Sequence, residues 1–211
     1  MSSNNPLVSI VTPHYNGTEY HLDFHKMLSD QTYLNWELIL IDDYSDESSF
    51  KKLKLVFSSD PRIHIIRNSS NKGPSFSRNL GIIKSKGTYI AFADIDDFWS
   101  PEKLFVQIKE MMIGNYNFSC TAFHINNGSV LTQSINYKTV NLYNLVRFKV
   151  NIACSSVMIK NNMFRLVFNE KLRHAEDYLL WAQLFQKADI KILYLNNPDL
   201  LRYTKSKNSL S

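Results

Sequence analysis

Cysteine is scarce, and what there is has no useful spacing. The 211 residues hold two cysteines, Cys120 and Cys154, and no CxxC pair. That excludes a zinc knuckle or a disulfide framework and points to a reducing compartment. Long apolar runs are also missing. Nothing approaches the roughly 20 residues that a bilayer-spanning helix needs. The amino terminus, Met1-Ser2-Ser3-Asn4-Asn5-Pro6, lacks the charged-then-apolar order of a secretory signal. These absences predict a cytoplasmic chain, open to peripheral contact with the inner face of the membrane. No Lys/Arg run marks a nucleic-acid arm, so no nucleic-acid partner is expected.

What remains is a chain with ample material for a core. Hydrophobic residues make up 44%, aromatic residues 13% and charged residues 20%. That suffices for a single domain spanning residues 1–211. Lys and Arg number 24 against 19 Asp and Glu, a net charge of +5. A mildly basic surface suits anionic partners such as phosphates or lipid headgroups.

The first half alternates apolar runs with helix-like stretches. Leu7–Thr12, Glu37–Ile41, Arg62–Ile66 and Tyr89–Ala93 are rich in Ile, Leu and Val, the pattern of strands buried in a parallel sheet. Between them, Glu19–Ser29 sets Leu22, His25 and Leu28 at helical spacing. Ser49–Phe57 does the same with Phe50, Leu53, Val56 and Phe57, and Ser75–Lys84 with Phe76, Leu80 and Ile83. Ser100 is the expected N-cap of a further helix, with Pro101 in its first turn and Leu104, Phe105 and Ile108 inward. This alternation predicts an α/β fold with a mainly parallel central sheet flanked by helices. Ligands in such sheets sit beyond the carboxyl ends of the strands. The second half is less regular. Asn115–Ile135 reads as strands and turns, with Asn126-Asn127-Gly128 as a hairpin turn. Ser155–Ile159 reads as a strand, His174–Lys187 as a helix with Leu180, Leu184 and Trp181 inward, and Lys205–Ser211 as a polar tail.

Polar residues collect at the expected strand ends. Asp94-Ile95-Asp96-Asp97 crowds three carboxylates that repel one another unless a cation sits among them. Hard oxygen donors suit Mn²⁺ or Mg²⁺. The other reading is an acidic loop that caps the next helix, and the position straight after an apolar run favours the metal. Asp42-Asp43 could accept a hydrogen bond from a base or ribose, or serve turn chemistry alone. Tyr15 offers a flat face to a nucleobase, or is a buried aromatic. Gly73-Pro74 opens a helix whose amino end favours an anion, with Arg78 in reach of a phosphate or of the acidic cluster. Glu176-Asp177 opens another helix, where one acid could serve as a general base or both could complement the helix dipole. His21 and His25 stand four apart, but Leu22 occupies the place of the zinc-protease Glu, so they read as an ordinary helix face.

Taken in order, these pieces resemble one family. Val8 to Asn16, Gln31 to Asp43, Asn71-Lys72-Gly73, Arg78-Asn79, Lys86 to Ile90, Asp94 to Asp97, Glu176-Asp177 and Asn208 to Ser211 are similar to the motifs of family 2 glycosyltransferases of the GT-A fold, especially bacterial enzymes that build surface polysaccharides. Ser206 departs from the pattern, which has histidine there. The resemblance implies an inverting transferase that takes a nucleotide-sugar donor, most often UDP-linked, and an oligosaccharide or lipid-linked glycan acceptor. It implies a nucleotide-sugar half over 1–100 and an acceptor half over 101–211. Tyr15 would stack on the base, with Thr12 and Pro13 lining its pocket. Asp43, or Asp42, would hydrogen-bond the base. Arg78 would sit near the diphosphate or brace the acidic loop. Asp94 would contact ribose or sugar, and Asp96 would bind Mn²⁺ or Mg²⁺ with Asp97 in support. Asp177 would be the base, and Glu176 would position acceptor or donor. Two rivals remain. One is a nucleotidyltransferase, which should carry a basic Gly-rich loop after the first strand. The other is an inactive nucleotide-sugar-binding module, against which an intact Asp177 argues.

Overall fold

The computed structural model describes residues 5–125, 140–172 and 174–204. The expected hairpin turn at 126–128, the tail with its Asn208 to Ser211 motif, and Ser206 lie outside them. The strands are β1 (Val8–His14), β2 (Trp36–Asp42), β3 (Ile63–Arg67), β4 (Tyr89–Phe92), β5 (Phe98–Trp99), β6 (Phe118–Thr121), β7 (His124–Ile125), β8 (Met158–Lys160), β9 (Ile192–Leu195) and β10 (Leu201–Tyr203). The helices are α1 (His21–Ser29), α2 (Glu47–Phe57), α3 (Pro74–Lys84), α4 (Lys103–Ile113), α5 (Leu142–Val146) and α6 (Glu176–Phe185).

The main sheet has the order β3-β2-β1-β4-β8-β6-β9, and a small sheet has the order β5-β10-β7. Pairs β3–β2, β2–β1, β1–β4 and β6–β9 are parallel, and only β8 runs against its neighbours. The expected mainly parallel sheet is therefore present. Both faces are covered. Phe24 and Leu28 of α1, Leu53 and Phe57 of α2, and Leu104 and Ile108 of α4 pack with Val8, Ile10 and Leu38 on one side. Leu145 of α5 and Leu180, Trp181 and Leu184 of α6 pack with Val11, Phe92 and Phe118 on the other. Coverage on both faces is why the strands read as continuous apolar runs.

Several boundaries and phases differ from expectation. β1 runs through Pro13 to His14, because pairing with β4 ends at Val11 and leaves Pro13 no donor to supply on that side. In α1 the inward residues are His21, Phe24, Met27 and Leu28, while Leu22 is 72% exposed. α3 buries Ser75, Ser77, Arg78, Asn79 and Gly81 and leaves Ile83 76% exposed. Its polar face turns inward because those groups find partners there: Asn79 Nδ2 donates to Phe168 O at 2.9 Å, and Asn68 Nδ2 donates to Ser77 Oγ at 3.1 Å. α4 begins at Lys103, with Ser100 contributing its carbonyl rather than a side-chain cap, and Phe105 is 48% exposed. Among the described residues, no helix is long and apolar enough to cross a membrane.

Candidate active site

The strand order reverses between β1 and β4, where a doubly wound sheet opens a crevice at its carboxyl edge. A cavity of about 670 Å³ lies there, within the roughly 300–1,000 Å³ range of small-ligand sites. Its walls include three strand ends and one helix start: Pro13 to Gly17 at and beyond the end of β1, Asp43 after β2, Asp94 to Asp96 after β4, and Gly73-Pro74 at the start of α3. Gly73 has φ +88°, a left-handed conformation that suits glycine, and Pro74 then fixes the first helical residue.

The Tyr15 ring is 55% exposed at this cavity. Asn16 holds the chain beyond it, at φ +57°. Its N–H donates to Ser45 Oγ at 3.0 Å and its Oδ1 accepts from Asp46 N–H at 3.0 Å. Asp43 also reaches the cavity. Oδ1 accepts from Asn68 Nδ2 at 2.7 Å and Lys72 N–H at 2.9 Å, and Oδ2 accepts from Gly73 N–H at 2.7 Å. A carboxylate offers about four lone-pair directions, so Oδ2 keeps one for a ligand donor.

Asp42 does not reach it. The neighbouring carboxylate points the opposite way and is wholly buried. Asp42 pairs in register with His14, whose Nδ1 lies 3.0 Å from its Oδ1, and Arg67 Nε lies 3.2 Å from its Oδ2. Burial works to raise this carboxyl, but the bonds from His14 and Ser45 outweigh it and leave it below the usual range. Thr12, expected to line the pocket, is likewise fully buried in β1, with no hydrogen-bond partner for its Oγ1. Pro13 is at the wall as expected.

The acidic turn divides in two. Asp94 and Asp96 face the cavity. Asp97 is buried, with Oδ1 accepting from Thr204 N–H at 2.8 Å. Burial and the charge of Asp94 raise it well above the usual carboxylate range. It secures the turn from behind rather than facing the ligand space. Asp94 N–H donates to Ser155 Oγ at 2.9 Å. Burial first, then the Asp94 charge, pushes the Asp96 carboxyl up to about 6. Two hard oxygen donors at a cavity wall, one of them held at that cost, fit a divalent cation that would lower it again.

Arg78 braces this turn. Its buried guanidinium donates from Nη2 to Asp94 Oδ1 at 2.8 Å and from Nη1 to Glu176 Oε1 at 3.0 Å. That bridge ties the end of β4 to the first turn of α6. Asp177 follows Glu176. Burial, opposed by Arg78, raises its carboxyl to about 6. Sequence reasoning missed Glu19 and Tyr20, which also line the cavity, and Ser155. Glu19 and Tyr20 lie in the 3-10 turn Thr18–Tyr20, which has no signature separate from α1.

A nucleotide-sized cavity over the reversal point of such a sheet, with an acidic turn at its rim, matches the arrangement that the resemblance to glycosyltransferases of the GT-A fold implies. The glycosyl transferase family 2 profile matches residues 9–175, and the chain belongs to that family. It is 30% identical over 213 residues to the putative teichuronic acid biosynthesis glycosyltransferase TuaG of Bacillus subtilis, an overlap of 100% of this chain and 84% of that protein. It is 32% identical over 188 residues to WfgD of Escherichia coli, a UDP-Glc:alpha-D-GlcNAc-diphosphoundecaprenol beta-1,3-glucosyltransferase, covering 89% of this chain and 73% of that one. The crystal structure of S. aureus TarS 1-349 in complex with UDP-GlcNAc superposes with a TM-score of 0.82 at 19% identity, over 96% of this chain and 60% of that chain. The mannosyltransferase PcManGT from Pyrobaculum calidifontis, in complex with GDP-Man and Mn²⁺, gives 0.70 at 15%, over 97% and 59%. At these identities the two solved structures speak to the fold, and the chain spans about 60% of the TarS chain's length.

Proposed function

We propose that this chain is an inverting, divalent-metal-assisted transferase that moves a sugar from a UDP-sugar to a hydroxyl of a glycan or lipid-linked acceptor in surface polysaccharide assembly. The observation that carries this reading is one cavity walled by Tyr15, Asp43, Asp94 and Asp96, with Arg78 linking Asp94 to Glu176 at the helix start that holds Asp177.

Tyr15 stacks on the base, Pro13 closes its edge, and Asp43 accepts a base N–H through the free direction on Oδ2. Asp94 orients ribose or sugar. Asp96 would hold Mn²⁺ or Mg²⁺, which would supply positive charge to offset that of the departing diphosphate. Asp177 takes the proton from the acceptor hydroxyl, and a carboxyl raised toward neutrality is the stronger base for this. Attack opposite the leaving group inverts the anomeric carbon without a covalent enzyme intermediate. Residues 1–100 thus supply the donor half and 101–211 the acceptor half. The named activities of TuaG and WfgD favour an envelope polysaccharide and an acceptor carried on a lipid diphosphate.

A screen of UDP-, GDP- and dTDP-sugars, with Mn²⁺ and with a chelator, tests the reading. The expected result is chelator-sensitive release of UDP. Turnover only of nucleoside triphosphates, with pyrophosphate release, would instead identify a nucleotidyltransferase.

A further inference from the structure

Within the acceptor half, residues 143–149 raise a small apolar and basic surface. Tyr143, Val146 and Phe148 are exposed, Phe148 to 80%. A bulky residue with nothing to cover it normally folds back, yet Phe148 is held out. It adopts φ +53°, which large side chains rarely do. Its N–H donates to Leu145 O at 2.9 Å, and Lys149 N–H donates to Asn144 O at 2.9 Å. One side of the ring stacks on Tyr178 at 5.3 Å. The Tyr178 hydroxyl is anchored between Leu145 O and Val150 O, at 2.9 and 2.8 Å. The platform is therefore fixed to α6 one residue beyond Asp177.

The charged side chains on the segment itself are basic. Arg147 and Lys149 are exposed and lie against the Tyr143 ring, 5.1 and 5.9 Å from its centroid. Residues 141–150 contain no Asp or Glu. Apolar tips set between bases match an anionic bilayer surface, where rings and branched chains enter the headgroup layer and cations meet lipid phosphates. A polyanionic glycan would use the cations and could stack a sugar face on Phe148, but it gives no place to the aliphatic Val146, which a bilayer surface does.

We infer that this surface docks on the anionic lipid face of a membrane and so presents a membrane-held acceptor to the start of α6. The inference deepens the lipid-linked acceptor reading above and rests on it.

Flotation of the purified chain with vesicles tests it, using phosphatidylglycerol mixed with phosphatidylethanolamine against phosphatidylcholine alone. The wild type is expected to float with the anionic vesicles only. Since each base at an anionic surface contributes about fivefold, Arg147→Glu with Lys149→Glu should lower partitioning at least tenfold. Val146→Ser with Phe148→Ser should also lower it severalfold, with UDP affinity unchanged in both as the check on folding. Lys51→Glu with Lys54→Glu, on the exposed face of α2, should leave it unchanged. Equal flotation with both vesicle types, or equal loss in the α2 variant, overturns the docking surface. Donor turnover intact with no flotation sinks the docking and leaves the transferase reading standing. Flotation that depends on residues 146–149, with no donor turnover, does the reverse.

Discussion

The Nε2 atoms of His14 and His21 face each other at 2.9 Å inside the first core, and His14 Nδ1 faces Asp42. One proton must lie between the two rings. With His14 Nδ1 donating to Asp42, His21 Nε2 donates to His14 Nε2, and His21 Nδ1 is left buried without a partner. The loop that carries Tyr15 follows His14, so this pairing fixes the end of β1 from which that loop departs.

A pH signature follows from His21. Burial, then His14, lowers it from 6.5 to about 4. Between those values the unfolded chain binds a proton that the folded one refuses, so this residue's contribution is full above 6.5 and is lost as pH falls toward 4. Asp96 and Asp177, raised to about 6, act oppositely in the same range. A difference measurement isolates the histidine. Relative to wild type, His21→Phe should gain stability as pH falls from 6.5 to 4 in urea unfolding. A pH-independent gap between the two proteins would contradict the assignment.

Arg78 offers a test of the acidic turn. Removing a buried cation strands both Asp94 and Glu176, and breaking such a pair from one side costs about 3–5 kcal/mol. Arg78→Met should therefore lose stability on that scale in denaturant unfolding. Adding Glu176→Gln should recover part of it. Lysine, a single point charge, cannot make both bonds, so Arg78→Lys should fall between Met and wild type.

What was legible in the sequence tracks what was local. β1 to β4 could be read because strands covered on both faces become continuous runs of Ile, Leu and Val. Tyr15, Asp43, Asp94 and Asp96 could be placed because strand ends carry the cavity. Asp42 and Asp43 could not be told apart, since successive strand residues point to opposite faces and only the pairing with His14 decides which is which. The phase of α1 was hidden because a histidine occupies a core position. α3 was hidden because its inward face is polar and finds its partners in Asn68 and Phe168, far away or only modestly near in sequence. β9, β10 and α5 are four, three and five residues long. They gain their form from distant partners, which no local pattern announces.

At Gly81, α3 packs closely on Val11 of β1. A Cβ there would drive into Val11 Cγ1, and would press Cγ2 and Cβ of the same residue at 3.3 and 3.4 Å. Helix propensity alone favours alanine, yet overpacking in a tight core costs about 1–3 kcal/mol. Gly81→Ala should therefore destabilise despite the better helix former. Joined to Val11→Ala, it should cost less than the sum of the two single changes in a double-mutant cycle.

Asp177 and Asp96 both titrate near 6, one chiefly by burial and the other by burial with the Asp94 charge added. A pH profile alone therefore cannot assign the acid limb, but its division between binding and turnover can. Protonating Asp96 removes an anionic ligand from the donor site, so it should weaken donor binding. Protonating Asp177 removes the base and should slow bound donor. Because a divalent cation lowers the Asp96 carboxyl, raising Mn²⁺ should move the limb seen in donor affinity to lower pH. The limb in kcat should stay near 6 and fall tenfold per unit below it. Asp177→Asn should then lower kcat by about 10²–10⁴, abolish that limb and leave UDP affinity within twofold of wild type. A variant that keeps the wild-type limb in kcat would move the base elsewhere on α6, with Glu176 the next residue to replace.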